Sequence, residues 1–266
     1  MDYLSELESK TIYIIREAYS RFKNIALLWS IGKDSTSVLW IIRKAFFGKI
    51  PFPIVHIDTG YKFKEIYEFR DKYAKEWNLD LIVSKNEKAF AEKISPKQGK
   101  LECCTALKTN ALKLTLANHK FKALLLAIRR DEHGIRAKER YFSPRDSNFQ
   151  WNYHDQPAEL WDFYKSDIGA EQHFRIHPML HWTELDVWKY VQREKMPVVD
   201  LYFAKNNKRF RSIGCESCCA PVTSKADTIA KIIKELKTTK VPERSGRAQD
   251  KEDAYTMQKL RSLGYM

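Results

Sequence analysis

Apolar positions along the first half of the chain follow two alternating rhythms. From residue 3 to 22, Leu4, Leu7, Ile12, Ile15 and Ala18 recur at the spacing of one helix face. A short unbroken apolar run comes next, Ile25 to Trp29, of the kind that fills a strand buried on both faces of a parallel sheet. Helical spacing returns from Thr36 to Phe46, a second buried run occupies Ile54 to Ile57, and the turn Asp58-Thr59-Gly60 leads into a helix from about Phe63 to Trp77. Leu81 to Val83 reads as a third strand, Ala106 to Asn118 as a helix, and Ala123 to Ala127 as a fourth strand. Strand and helix in strict alternation predict an α/β fold with a doubly wound, mostly parallel sheet and right-handed crossovers.

Beyond about residue 140 the pattern dissolves into aromatic-rich loops containing Phe149, Trp151, Tyr153, Trp161, Phe163 and Tyr164. A helix is expected from Thr183 to Glu194, where Thr183 with Asp186 makes a cap, and another, basic, from Lys225 to Leu236. No Pro/Gly/Ser-rich linker divides the chain, so its 266 residues read as one α/β domain over 1–200 with an irregular C-terminal extension over 201–266.

Composition narrows the function less than the pattern narrows the fold. Hydrophobic residues at 44% supply a sizeable core and exclude a disordered chain. No signal-like N-terminus and no long apolar span is present, from which a soluble, cytoplasmic location without a membrane partner is expected. The net charge of +13 suits phosphate-bearing ligands, nucleic acid or an acidic protein, and equally a lysine-rich solvated surface.

The first candidate site adjoins the first strand. Ser30, Ile31, Gly32, Lys33, Asp34, Ser35 and Thr36 lie between a strand and a helix N-terminus, where unpaired backbone N–H groups and the helix dipole favour an anion. Gly32 permits close backbone approach, the three hydroxyls add donors, and Lys33 adds charge. The spacing is not that of a Walker loop. The string resembles the pyrophosphate loop S-G-G-K-D-S of the N-type ATP pyrophosphatases, with Ile31 at the first Gly. That resemblance implies a loop that holds the β- and γ-phosphates of ATP, and a role for Asp34 in magnesium binding.

Over nearly its whole length the chain also resembles the catalytic small subunit of bacterial sulfate adenylyltransferase. The likeness rests on Pro51-Phe52-Pro53, His56 to Gly60, Arg129-Arg130-Asp131-Glu132, Arg136 to Arg140, Glu159-Leu160-Trp161, Trp182-Thr183-Glu184 and Glu243-Arg244-Ser245-Gly246-Arg247. It implies that ATP and sulfate are joined to adenosine 5′-phosphosulfate with release of pyrophosphate, with the help of a GTPase partner subunit. Joining an oxyanion to an α-phosphate brings like charges together, so the site needs several cations. Arg129 and Arg130, directly after the fourth strand, join Lys33 and Asp34 as candidate catalytic residues. Arg136, Lys138, Arg140, Arg244 and Arg247 are candidates for holding the oxyanion, although an exposed charged helix would also explain Lys138. Asp58, Thr59 and Gly60, at the end of the second strand, are expected to line the nucleotide crevice; a plain turn-forming Asp would look identical.

Two features depart from that subunit. The long insertion that it carries before its Gly-Cys segment is a short basic stretch here, ending at Ile213-Gly214-Cys215, so a GTPase contact made through the insertion would be missing. The cysteines differ as well. Cys103-Cys104 with Cys215 and Cys218 resembles the iron–sulfur motif of adenylylsulfate reductases, which implies a 4Fe–4S cluster; zinc is the chemical alternative, and Cys219 is spare. A reductase also needs a cysteine in its C-terminal tail, and none occurs after Cys219. The second reading is therefore an iron–sulfur ATP pyrophosphatase that activates DNA or tRNA for sulfur insertion, supplied by a cysteine desulfurase or other sulfur donor. The net charge and the stretch Lys205 to Arg211 suit such an acceptor. Sulfate stands first among the acceptors, because the likeness runs through the candidate catalytic residues.

Overall fold

The computed structural model describes residues 2–167, 169, 173–248, 259, 260 and 264. Helices α1 (Tyr3–Phe22), α2 (Lys33–Ala45), α3 (Lys64–Glu76), α4 (Glu87–Ala91), α5 (Lys100–Cys104), α6 (Ala111–His119), α7 (Gly134–Ala137), α8 (Glu184–Glu194) and α9 (Ile229–Leu236) are joined by strands β1 (Ile25–Leu28), β2 (Ile54–Ile57), β3 (Leu81–Ser84), β4 (Ala123–Leu125), β5 (Phe142–Arg145), β6 (His173–Ile176), β7 (Lys208–Arg209) and β8 (Val222–Thr223). The first six strands form one sheet in the order β3-β2-β1-β4-β6-β5, all parallel except β5, which runs antiparallel at the edge.

Alternate strand residues feed two layers, as the pleat requires. Ile25, Leu27, Ile54, Ala123 and Leu125 face a large cluster built with α1, α2, α3 and α8. Ala26, Leu28, Val55, Ile57 and Leu124 face the opposite layer, where Ala111, Leu112 and Leu116 of α6 pack on them. Both faces are therefore covered by helix, which is why the strands read as unbroken apolar runs. The cap expected at Thr183 is present as a full capping box: the Thr183 hydroxyl accepts from the Asp186 amide at 3.2 Å, and the Asp186 carboxylate accepts from the Thr183 amide at 3.0 Å.

Two parts of the fold differ from the sequence-based expectation. The segment after residue 140 is not all loop, since β5 and β6 lie within it. Their buried positions include His173, Arg175, Ser143 and Arg145, so no apolar run announces them. The helix expected from Ala106 to Asn118 begins at Lys100 as α5, widens into a π-helical stretch over Thr105–Asn110 and continues as α6. Such wide turns are frequent at functional sites, and this one separates Cys103 and Cys104 from Ala111.

Residues 201–248 pack back onto the sheet domain. Tyr202 and Ile232 belong to the same apolar cluster as β1, and α9 lies against α8. Of the expected C-terminal extension, most of residues 249–266 lie outside the described residues. Among the described residues no helix is long and apolar enough to cross a membrane.

Candidate functional site

The order of the sheet fixes where a ligand can sit. The chain moves from β1 outward to β2 and β3, then returns to place β4 on the other side of β1. The loops after β1 and β4 therefore diverge and leave a crevice at the carboxyl ends of these strands, the usual binding position in open α/β sheets. A cavity occupies it, with Ser30, Gly32, Lys33, Asp34 and Ser35 on one wall and Glu132, Arg136, Arg244 and Arg247 on the other.

The loop after β1 is built as the sequence suggests, with one backbone peculiarity. Gly32 caps α2 with extended backbone and offers no side chain to the first amides of the helix. Ile31 sits at φ 69°, in the left-handed region that a β-branched residue adopts only at a cost, and its side chain is buried in the core. The Ser30 and Ser35 hydroxyls lie 3.0 Å apart at the cavity, whereas the Thr36 hydroxyl turns inward to accept from the Trp29 indole at 3.1 Å.

Behind this loop lies a buried ion cluster. The Lys33 ammonium contacts Asp34 at 3.1 Å and also Glu243, while the Arg129 guanidinium donates to Asp34, to Glu243 and, at 3.0 Å, to Asp131. Burial alone would push both cations down; the Asp34 and Glu243 carboxylates outweigh it and hold both well above their ordinary values. Burial likewise pushes Glu243 up, and Arg129 and Lys33 outweigh that, keeping it ionised below the ordinary glutamate range. A second set stands beside it: Glu132 bridges Arg136 and, at 3.2 Å, Arg244. Arg211 pairs with Glu184 at 2.7 Å.

Lys33, Asp34, Arg136, Arg244 and Arg247 thus meet at one cavity, together with Ser30, Gly32 and Ser35. Other candidates stand elsewhere. Arg129 is wholly buried behind the cavity wall, holding acids in place. Arg130 packs its guanidinium over Tyr141, Arg140 donates to the Pro157 carbonyl at 3.2 Å, and Lys138 is exposed. Asp58 is engaged as a turn residue: it accepts from the Gly60 amide and the Tyr67 hydroxyl, each at 2.8 Å, and faces Lys85 at 3.3 Å. Gly60 has φ 70° with the Phe90 ring directly over its Cα.

Several residues of the site carry no chemical signal of their own in the sequence. Glu243, Glu132 and Tyr202 surround or adjoin Lys33 without belonging to its loop, and two further cations, Lys62 and Lys108, line the cavity. Lys62 lies just past the Asp58-Thr59-Gly60 turn, and Lys108 lies one helical turn beyond Cys104, so a position beside a candidate motif is the only clue to either.

The cysteines lie next to these two lysines. Cys103, Cys104, Cys215 and Cys218 are buried thiols. The Lys62 backbone bridges to Cys215, and the Thr59 hydroxyl is 3.2 Å from the Cys215 sulfur. Burial pushes the Cys215 thiol up, but Lys108, Lys62, the Thr59 hydroxyl and Arg247 outweigh it and bring it down to about 6. Cys103 is pushed up to about 12 by burial and then by its neighbours Cys104, Cys215 and Cys218. The adjacent pair diverges around the helix: Cys103 packs with Leu107 and Ala89, and Cys104 with Leu260. Among the described residues no three His, Cys, Asp or Glu side chains are arranged to hold a metal ion.

Comparison with known proteins fits this architecture. Residues 24–221 match the family described as phosphoadenosine phosphosulfate reductase domain. A protein of Bacteroides fragilis named sulfate adenylyltransferase subunit 2 is 39% identical over 296 residues, covering 100% of this chain and 98% of its own length. One of the same name from Parabacteroides distasonis is 40% identical with the same coverage. Among solved structures, the FMN adenylyltransferase of Candida glabrata in complex with ATP aligns with a TM-score of 0.58 at 19% identity, over 82% of this chain and 63% of that one. A phosphoadenylyl-sulfate reductase from Candida auris aligns at 0.56 and 17% identity, over 84% and 98%. At these identities the two structures speak for the fold alone.

Proposed function

The chain belongs to the phosphoadenosine phosphosulfate reductase domain family and, by full-length similarity, to the group named sulfate adenylyltransferase subunit 2; from that premise we propose that it joins ATP to sulfate, forming adenosine 5′-phosphosulfate and pyrophosphate. The observation that carries this reading is the cavity at the ends of β1 and β4, where an anion loop faces Arg136, Arg244, Arg247, Lys62 and Lys108. In this reading a sulfate oxygen attacks the α-phosphorus and the bond to the β-phosphate oxygen breaks, so that pyrophosphate leaves. Lys33 and the amides at the start of α2 take the β- and γ-phosphates, and the facing cations hold the sulfate against the repulsion of the α-phosphate. Arg129 acts as a positioning residue through Asp34 and Glu243. Magnesium carried in with ATP would be met by Asp34.

Pyrophosphate release from ATP with sulfate, DNA or tRNA added singly tests the assignment. Sulfate should stimulate release and yield adenosine phosphosulfate. A nucleic-acid stimulus that declines steeply with salt would instead favour sulfur insertion into DNA or tRNA. The inward turn of Arg209 to Glu235 and of Arg211 to Glu184 weighs against that alternative, because it takes two cations out of the basic stretch. The group name implies a second subunit, for which a GTPase is the reading carried over from the resemblance, acting in the cytoplasm.

The 4Fe–4S cluster that the resemblance implies finds its donor type in the four cysteines, which share one neighbourhood around Cys103 without being gathered to ligate as they stand. All four are buried thiols, and the positive groups Lys62, Lys108 and Arg247 beside Cys215 suit the negative charge of a thiolate-bound cluster. Such a group would staple α5 to the segment 215–219 behind the cavity. Anaerobic purification with iron, sulfide and zinc analysis tests it: iron and sulfide in equal amounts support the cluster, and zinc without sulfide replaces it with a structural zinc site.

A further inference from the structure

The ammonium that should grip the leaving pyrophosphate is already gripped by the protein. One Glu243 carboxylate oxygen contacts the Lys33 ammonium and the other contacts the Arg129 guanidinium. The first amide of α2, on Lys33, donates to the Tyr202 hydroxyl at 2.9 Å, in the direction where a helix N-terminus would otherwise meet a phosphate oxygen. Both occupants come from the chain beyond residue 200. Lys33 lies on the cavity wall at 1% exposure, whereas Arg129 and Glu243 are behind that wall. Lys33 and Arg129 share Asp34 and Glu243 between them, so a polyphosphate entering this arrangement would meet a carboxylate as close as the cations. Like charges repel strongly in a buried site, which makes such a complex unfavourable unless the carboxylate leaves.

We propose that Glu243 is a displaceable internal counter-ion standing in for the leaving pyrophosphate: it engages the Lys33 ammonium while Arg129 anchors it from behind, and the nucleotide binds by exchanging with it at Lys33. The inference rests on the reading of residues 30–36 as the polyphosphate loop. The way the segment is held fits an exchange of this kind. Its far end is pinned, because the Ala220 amide donates to the Gly246 carbonyl at 2.9 Å and Arg247 donates to the Cys219 sulfur at 3.1 Å. Its near end, Lys240 to Pro242, is exposed and tied to the core through the Val241 carbonyl, which accepts from Arg211, so that releasing this contact lets Glu243 swing while Arg247 keeps its place in the cavity. The exchange also makes the grip selective. Only a ligand with charge enough to draw Lys33 from a carboxylate takes the site, which favours a polyphosphate over a single monovalent anion.

Titration calorimetry with inorganic pyrophosphate on the whole chain tests this. Glu243→Gln should bind pyrophosphate about tenfold or more tighter than wild type. Asp131→Asn removes the same charge beside the same arginine without releasing Lys33, and should change affinity less than about threefold. If Glu243→Gln does not fold, Glu243→Asp, too short to span both cations, should give an intermediate tightening. In wild type, saturating pyrophosphate should speed trypsin cleavage after the exposed Lys240 several-fold. Affinity in the glutamine variant equal to or below wild type, or protection of Lys240 by pyrophosphate, overturns the exchange while leaving the loop assignment standing. A wild-type chain that binds no pyrophosphate overturns the loop assignment itself, and the exchange with it.

Discussion

The guanidinium of Arg247 lies directly against the Cα of Gly214, in the space that any side chain at 214 would need. Gly214 is therefore what lets Arg247 reach the cavity. A methyl group there would push the flexible end of Arg247 aside at little cost to the fold. Gly214→Ala should keep its melting temperature within a few degrees while its KM for sulfate rises about tenfold, equivalent to ~1.4 kcal/mol of lost oxyanion binding. An unchanged KM would place the oxyanion elsewhere.

Removing Lys33 should cost stability as well as activity. The ammonium is buried between two carboxylates, and deleting it leaves Glu243 and Asp34 with Arg129 alone. Breaking a buried pair from one side typically costs about 3–5 kcal/mol. Lys33→Ala should show that loss in urea denaturation alongside near-complete loss of pyrophosphate release; a fully stable, inactive variant would mean that Glu243 had found another partner.

Ile31 offers a test in which the order of two variants matters more than either value. Ile31→Ala removes buried carbon and retains a side chain at φ 69°, and should destabilise by about 2–5 kcal/mol. Ile31→Gly removes one carbon more but frees the backbone, since glycine occupies the left-handed region without penalty. The glycine variant should be the more stable of the two by about 1 kcal/mol, and the reverse order would mean that the loop carries no backbone strain.

Three histidines set the acid limit of the fold. His56 is held down to about 4, chiefly by burial and then by Lys62, and His181 to about 4, by burial despite the Leu7 carbonyl. His173 is held down to about 2 by burial and Arg175. Their native values lie below the unfolded value near 6.5, so the unfolded chain binds protons first as pH falls. The stability they contribute is complete above about pH 6.5 and lost on the way down through the native values. At about pH 4.5, His56 and His181 should each have withdrawn about 2–3 kcal/mol. A urea midpoint unchanged between about pH 7 and about pH 4.5 would contradict their burial as neutral rings.

The extent to which the fold and site are legible in the sequence depends on what packs against what. Strands β1, β2 and β4 lie in the middle of the sheet with helices over both faces, so Ile25 to Leu28 and Ile54 to Ile57 are buried throughout and are visible as runs. Strand β6 is equally buried, yet His173 and Arg175 occupy it, the His173 ring packing against Phe149 and Arg175 reaching the Gly264 carbonyl, so the pattern hides it. The anion loop is legible because its local chemistry is contiguous. Arg129, Asp131, Glu132 and Glu243 are visible in the sequence within motifs, but their pairing with the loop and with one another is not, since they come together only through the order of the strands and the return of the segment around Glu243. The same holds for Lys62 and Lys108, whose roles depend on a cavity between elements rather than on any neighbour in the chain.

Lys33 and Glu243 stand 210 positions apart along the chain, and this separation bears on how the protein is made. As the polypeptide leaves the ribosome, the sheet around β1 to β4 can gather long before residue 243 has emerged, with the Lys33 ammonium held by Asp34 alone and one edge of the Arg129 guanidinium still lacking a carboxylate. A nascent or prematurely released chain would therefore carry under-neutralised positive charge inside an otherwise formed crevice, open to whatever polyanion is nearby. Emergence of the segment around Glu243 is the step that closes this opening, so a part of the chain made long after the crevice gives the newborn protein its discretion toward cellular anions.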